Sequence, residues 1–292
     1  AIYGPFSIEN DKQNLAIAQD GQKEAMEHAG RTGGLPFVGT GWYRLDFEAP
    51  EFGQGKTATL IFDGAMSHAR VWLNGQEVGY WPYGYNSFHF DVTPYLKAEG
   101  TNTLAVRLEN QHESSRWYPG AGLYRNVHLV INEDAYVPTW GTQLTTPEVN
   151  RDFAKVNLKT SLAFPKGKKI EDYRIVTELK DATGKVVAKA EKQGTHYDGK
   201  GFEQDFVVDK PALWSPDSPA LYTAESKIYE GNTLKDEYTT RFGIRSIEFI
   251  PDKGFFLNGE HTVFKGVCNH HDLGPLGGIA NVAGIRRQIR IL

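Results

Sequence analysis

The chain has 292 residues but only one cysteine, Cys268, so it cannot form an internal disulfide, and its cores must be held by packing alone. A lone thiol fits a reducing compartment, and it equally fits a large extracellular domain that does without disulfides. The compartment is left open, with a periplasmic or secreted one slightly favoured over the cytoplasm. No apolar run approaches the ~20 residues needed to span a bilayer, and no signal-peptide pattern stands at Ala1. Charge of one sign is also lacking. Lys and Arg total 32 against 36 Asp and Glu, and the net charge of −4 leaves no basic footprint for nucleic acid or an anionic membrane. Low-complexity tracts and internal repeats are absent, as is any long amphipathic helical period before residue 280. Cys268, His270 and His271 crowd too closely for a tetrahedral zinc site, and no second Cys/His cluster exists, so neither a metal nor another cofactor is implied.

What is present is alternation with a period of two, the mark of strands with one buried face. It runs through Val156–Phe164, through Leu104, Val106 and Leu108, and through Val127, Leu129 and Ile131. Val71–Val78 reads as a hairpin whose Asn74-Gly75 pair supplies the two positive-φ residues of a type I′ turn. Asp181–Lys185 is a second tight turn. A first β unit of at least six strands runs to about residue 133, and Val137-Pro138 marks the start of the second. That unit extends to about Ile244, with about seven short strands at sandwich spacing. Residues 1–40 contain only a weak strand pattern and a Gly-rich stretch, and read as a loop region that should follow an earlier strand.

The last stretch differs. Phe255–Val267 reads as a hairpin around Asn258-Gly259 with a strand over Thr262–Val267. A polar loop, Cys268–Asp272, follows, and then a helix over Ala280–Leu292 capped by Asn281. Its apolar stripe is Val282, Ile285, Ile289 and Leu292. A strand–loop–helix unit cannot bury its strand without neighbours, so the chain is expected to stop inside a larger α/β domain.

Eight segments in order resemble the family 2 glycoside hydrolases, best their β-galactosidase-like branch. They are Gly41–Arg44, Phe62–Ser67 leading to Val71–Gly75, Phe90–Leu96, Ser115–Val127, Leu213–Pro216, Pro219–Tyr222, Arg241–Arg245, and Phe256–Gly259 leading into Phe264–Val267. The resemblance implies a mainly β chain: a jelly-roll sugar-binding domain over residues 1–133, incomplete at its N-terminus, an immunoglobulin-like β-sandwich over 134–245, and the first strand and helix of a truncated TIM barrel over 246–292. It also implies a retaining exo-glycosidase for β-galactosides, with β-glucuronidase or β-mannosidase as the alternative in the same family. Both catalytic glutamates would then lie on later barrel strands, beyond Leu292. A non-catalytic carbohydrate-binding module is the alternative from another class. The implied partner is an oligosaccharide substrate; oligomeric state is left open.

No catalytic residue is assigned within the chain. Two loops are expected to touch sugar. By the resemblance, a His followed by an acidic residue beyond the first barrel strand contacts sugar hydroxyls, which points to His271 and Asp272; the choice between His270 and His271 stays open. In the run Ser115–Arg125, Trp117 offers a flat apolar face for a pyranose and Arg116 a fork of donors. Some family members carry an Asp where Arg116 stands, so the acceptor pattern here departs from theirs. Packing of the jelly roll is the competing reading for Arg116 and Trp117, and the favoured one for Tyr124 and Arg125. Trp81, Tyr83 and Tyr85 are read as a packed loop, with an accessory sugar platform as the alternative. Asp63 and Asp91 are expected to cap turns.

Overall fold

The structure is a computed structural model and describes residues 39–111, 120–268, 273 and 278–292. The described chain is mainly β, with a single α-helix, and forms two compact units that divide at Ile131/Asn132 and at Val267/Cys268.

The first unit holds β1 (Gly39–Glu48), β2 (Thr57–Phe62), β3 (Ala69–Leu73), β4 (Gln76–Trp81), β5 (Phe88–Asp91), β6 (Thr101–Asn110) and β7 (Val127–Asn132). They form two sheets, ordered β1-β6-β3-β4 and β5-β2-β7. The predicted alternation is realised in β6: Asn102, Leu104, Val106, Leu108 and Asn110 are buried and the residues between them less so. These side chains meet Phe62, Val71, Leu73, Phe88 and Val92 in one apolar core. The β3–β4 turn has the expected geometry, with φ of 54° at Asn74 and 81° at Gly75. Asn74 also acts beyond its turn, because its Nδ2 donates to the Tyr95 carbonyl and to Asn102 Oδ1, both at 2.8 Å. Asn102 has no exposed surface and accepts from Lys97 N as well, so its amide carries no unsatisfied polar cost into the core. Where the outer strands β1 and β7 bound the sandwich, an apolar cleft of about 360 Å³ opens, lined by Tyr43, Leu45, Phe47, Leu104, Val127 and Leu129.

This unit also contains α1 (Val282–Ile291), within two residues of the predicted bounds. Asn281 caps it as expected, its Oδ1 accepting from Gly284 N at 2.9 Å. The apolar stripe of α1 is not buried: Val282, Ile285, Ile289 and Leu292 are all exposed. An amphipathic pattern specifies which face wants cover without supplying it.

The second unit contains β8 (Thr142–Val149), β9 (Phe153–Ser161), β10 (Tyr173–Lys180), β11 (Val186–Gln193), β12 (Gly201–Asp209), β13 (Tyr222–Glu230) and β14 (Thr233–Phe242), paired as β11-β10-β13-β14 and β12-β9-β8. Its interior has two apolar clusters. One surrounds Leu158, Leu179, Phe206 and Ile244, the other Tyr173, Ile175 and Ile228. The Asp181–Lys185 turn forms as read, with Asp181 Oδ1 accepting from Thr183 N and Oγ1 and from Lys185 N.

A small third sheet, β15 (Ile247–Ile250), β16 (Gly254–Leu257) and β17 (Glu260–His261), completes the unit. Its Asn258-Gly259 turn has φ of 53° and 80°, and Asn258 Nδ2 donates to the Trp214 carbonyl at 3.0 Å, tying the hairpin to the loop after β12. The strand expected over Thr262–Val267 does not form. The hairpin ladder ends with Thr262 N donating to the Phe255 carbonyl, and residues 262–268 carry no regular structure. A barrel strand draws its hydrogen bonds from parallel neighbours on both sides, and the described residues contain no closed barrel to provide them.

Within the second sandwich the Thr177 hydroxyl donates to Gln204 Oε1 at 2.7 Å and accepts from Ser226 Oγ at 2.9 Å, all three residues being buried. This bridge joins β10 and β13 of one sheet to β12 of the other. Thr177→Val removes the donor and strands two buried polar groups, so it should cost about 1–3 kcal/mol, read as a lower urea midpoint with unchanged m-value. An unshifted midpoint would show that the bridge contributes nothing.

Candidate functional site

The four residues expected to contact sugar, Arg116, Trp117, His271 and Asp272, lie outside the described residues, as does His270. The chain leaving each loop is described. Ala280, which follows the second loop, donates its N–H to the Tyr124 carbonyl, which follows the first, at 2.8 Å. The exits of the two loops are thereby joined, and Tyr124 is the residue that joins them.

Tyr124 is a hub for three loops. Its side chain is buried, and its hydroxyl donates to the Gly84 carbonyl at 2.8 Å, reaching the loop between β4 and β5. Beneath the ring is Gly64, in the loop after β2, where an added Cβ would meet Tyr124 Cζ at 2.6 Å and its hydroxyl at 2.7 Å. The same three loops are stitched a second time through Met66. Met66 and Gly122 exchange both backbone hydrogen bonds at 3.0 Å, and a side chain at Gly84 would collide with the Met66 sulfur. Gly122 is at φ 100°, which a side chain rarely adopts. Leu123 N donates to the Tyr43 hydroxyl at 3.3 Å, fastening the Gly122–Arg125 segment to β1 as well. Burial pushes the Tyr124 phenol above its ordinary pKa and the nearby Tyr83 adds to the rise, while the Arg125 guanidinium opposes it. The phenol therefore stays a hydrogen-bond donor at neutral pH. The reading of Tyr124 as a packing residue agrees with this burial.

Around the hub is an exposed rim. Tyr83 and Tyr85 flank the buried Gly84, and their rings stand 5.6 Å apart at 60°. Both are among the exposed aromatics, Tyr83 at 54%. Trp81 points the other way and stacks on Phe88 at 5.6 Å. The aromatic loop therefore divides: Trp81 packs on Phe88, while the rings of the two tyrosines are exposed. Arg125 lies over the Tyr124 ring at 5.1 Å and donates to the Asp63 carbonyl at 3.3 Å. Asp91 caps its turn as expected, accepting from Thr93 N at 2.9 Å. Asp63 does not: its carboxylate pairs with His128 Nε2 at 3.1 Å, across from β7. Local sequence could not give that pair, since its members are 65 residues apart and meet only because β2 and β7 are neighbours.

Elsewhere, Glu203 and Asp205 both accept from Asn157 Nδ2, at 2.9 and 2.8 Å. They sit on an open sheet face that offers no enclosure for a reacting sugar, so this pair of acids is not a glycosidase centre.

Two family descriptions match the sequence. Residues 35–132 match the sugar binding domain of the glycosyl hydrolases family 2, and residues 141–245 match a second domain of the same family. Beta-galactosidase BoGH2A of Bacteroides ovatus is 40% identical over 296 aligned residues, covering 99% of this chain and 34% of that protein. A family 2 member from Bacteroides cellulosilyticus superposes with a TM-score of 0.84 at 34% identity, covering 91% of this chain and 35% of that one. The Bacteroides uniformis beta-glucuronidase superposes at 0.76 with 27% identity, covering 87% and 32%. Fold and sequence together define the class, two β units of the kind that the glycosyl hydrolases family 2 descriptions cover. The chain belongs to glycosyl hydrolase family 2 and spans about a third of the length of these relatives.

The hub yields a stability prediction. Gly64→Ala must displace a ring that is fixed at its hydroxyl, and should cost about 1–3 kcal/mol. Tyr124→Phe removes one hydrogen bond and leaves the Gly84 carbonyl unpaired, for about 1 kcal/mol. Thermal melts of both variants test this; unchanged midpoints would mean that the loops are held by other contacts.

Proposed function

We propose that this chain is part of a retaining exo-glycosidase that removes a terminal β-linked galactose from an oligosaccharide. The supporting observation is the 40% identity to a named β-galactosidase across 99% of the chain, over the same span in which the eight motifs occur in order. Retaining hydrolysis of this kind uses two carboxyl groups about 5 Å apart, one as acid/base and one as nucleophile, and passes through a covalent glycosyl-enzyme. In this reading both are glutamates of barrel strands beyond Leu292. In this reading the present chain contributes sugar contacts: Arg116 and Trp117 from the first loop, His271 and Asp272 from the second. An imidazole here can hydrogen-bond a sugar hydroxyl and strengthen that bond as positive charge grows on the ring.

β-Glucuronidase is the second reading, supported by the superposition on the Bacteroides uniformis enzyme. It differs chemically in needing a cationic or donor group for the sugar carboxylate. A purely carbohydrate-binding role is the third. It would require the longer protein to lack turnover altogether.

Two assays separate these readings. The 292-residue chain should give no release of nitrophenol from nitrophenyl β-galactoside, and turnover that persists unchanged through further purification would sink the assignment of both glutamates to the barrel. The longer protein should prefer the β-galactoside over the β-glucuronide, with the first-formed sugar keeping its anomeric configuration by proton NMR. A preference for the glucuronide would move the assignment to the second reading.

A further inference from the structure

The sandwich of the first unit is closed at one side and open at the other. At the closed side the end strands of the two sheets meet. The Phe90 ring of β5 fills the space over Gly79 of β4, and Trp81 of β4 stacks on Phe88 of β5 at 5.6 Å. Counted from that side, one sheet has four strands, β4-β3-β6-β1, and the other has three, β5-β2-β7. Among the described residues, β1 is therefore the strand with no strand opposite. Its register shows the effect. Leu45 pairs with the buried Leu104 and shares the inner face with the half-buried Tyr43 and Phe47. A leucine in that position is ordinarily covered by the facing sheet, yet Leu45 is 59% exposed. It borders the apolar cleft of about 360 Å³, whose walls are Leu45, Phe47 and Leu104 from one sheet and Leu60, Val127 and Leu129 from the other. β7 ends its sheet, and its second edge carries no strand among the described residues. A strand edge beside an apolar floor is what strand addition uses: backbone bonds along the edge and side chains into the floor.

We infer that the cleft takes one further strand of the same polypeptide, beside β7 and facing β1, and that this strand lies N-terminal to Ala1 in the longer protein. A small apolar ligand would fill the cleft but leave the β7 edge unpaired, whereas a strand satisfies both. Residues 1–40 have only a weak strand pattern and read as a loop that follows an earlier strand; that earlier strand is the occupant. The volume sets its composition. A cavity of about 150 Å³ holds a benzene ring, so the cleft of about 360 Å³ accommodates about two or three large apolar side chains. These are the i, i+2 and i+4 residues of a strand as long as the six-residue β7, with polar residues between them on the outer face. The inference rests on the reading of this chain as part of a longer protein, and is independent of which glycoside that protein hydrolyses.

Thiol labelling of Leu45→Cys tests the assignment, with the labelled peptide identified by mass spectrometry. In the 292-residue chain the new thiol should react with a water-soluble maleimide at least about tenfold faster than in the longer protein, where the added strand covers it. A chain extended only at its N-terminus and still ending at Leu292 should be protected as well as the longer protein. Hydrogen exchange on unsubstituted protein gives a second readout that needs no variant to fold. The β7 amides that point away from β2 should be protected in both extended forms and exchange freely in the 292-residue chain. Equal labelling and equal exchange in all three would overturn the inference, as would protection that needs the part after Leu292. Protection already present in the 292-residue chain would also overturn it: lost on deletion of residues 1–38, it would assign the cleft to that segment, and rising with protein concentration, to a second copy. A protected Cys at position 45 beside unprotected β7 amides would replace the strand by an apolar ligand. An N-terminally extended protein that is protected but hydrolyses no β-galactoside would remove the glycosidase reading and leave the strand assignment standing.

Discussion

Each sandwich strand must bury one face and leave the other wet, and most of what is seen in both units follows from that constraint. Slipping a strand by one residue would exchange its faces. Register is therefore fixed wherever large apolar residues alternate with charged ones, as along β9, where Ala154, Val156 and Leu158 are buried and Lys155 and Lys159 face out. Turns then have to deliver the chain in phase, and the Asn-Gly pairs at 74–75 and 258–259 do so with left-handed backbone on both residues. The buried polar groups obey the same logic. Asn102 and Thr177 occupy inward positions of alternating strands and are tolerated because each finds partners across a strand or a sheet.

Period-two alternation is a local property, which is why so much of the fold could be read from residues alone. β6 and the two Asn-Gly turns stand where the pattern put them, β9 lies three residues before the alternation read at Val156–Phe164, and Asn281 caps α1. What could not be read depends on contacts distant in sequence. The apolar residues of Thr262–Val267 look like a strand, but a strand exists only when a neighbour accepts its hydrogen bonds. α1 shows the same principle from the other side, being a helix by its own cap and pattern while its stripe faces solvent.

The site divides in a similar way. Residue type and order were enough to find the family, and the family description of a sugar binding domain over 35–132 agrees with the aromatic and glycine-rich run that ends at Arg125. The role of each side chain in that run was harder to read. Trp81, Tyr83 and Tyr85 form one cluster in sequence but differ in space, Trp81 stacking on Phe88 while the two tyrosine rings are exposed. Asp63 has the neighbours of a turn cap and the partner of a surface ion pair, a distinction that only the adjacency of β2 and β7 could make.

Tyr124 has a consequence for how such a protein can change over time. The fastening of the three loops runs through backbone and through residues that do not reach solvent: the Gly84 carbonyl, the space under Gly64, and the Met66–Gly122 pair. The Tyr124–Gly84 and Met66–Gly122 bonds make no use of the side chain at position 83, whereas Arg125 adds a bond of its own to the Asp63 carbonyl. Position 83 can be exchanged with little effect on the frame, so that a lineage could try new surface chemistry there while the sandwich beneath keeps its stability. Selection on surface chemistry would then act at that position alone, and relatives that share the frame would be free to differ there.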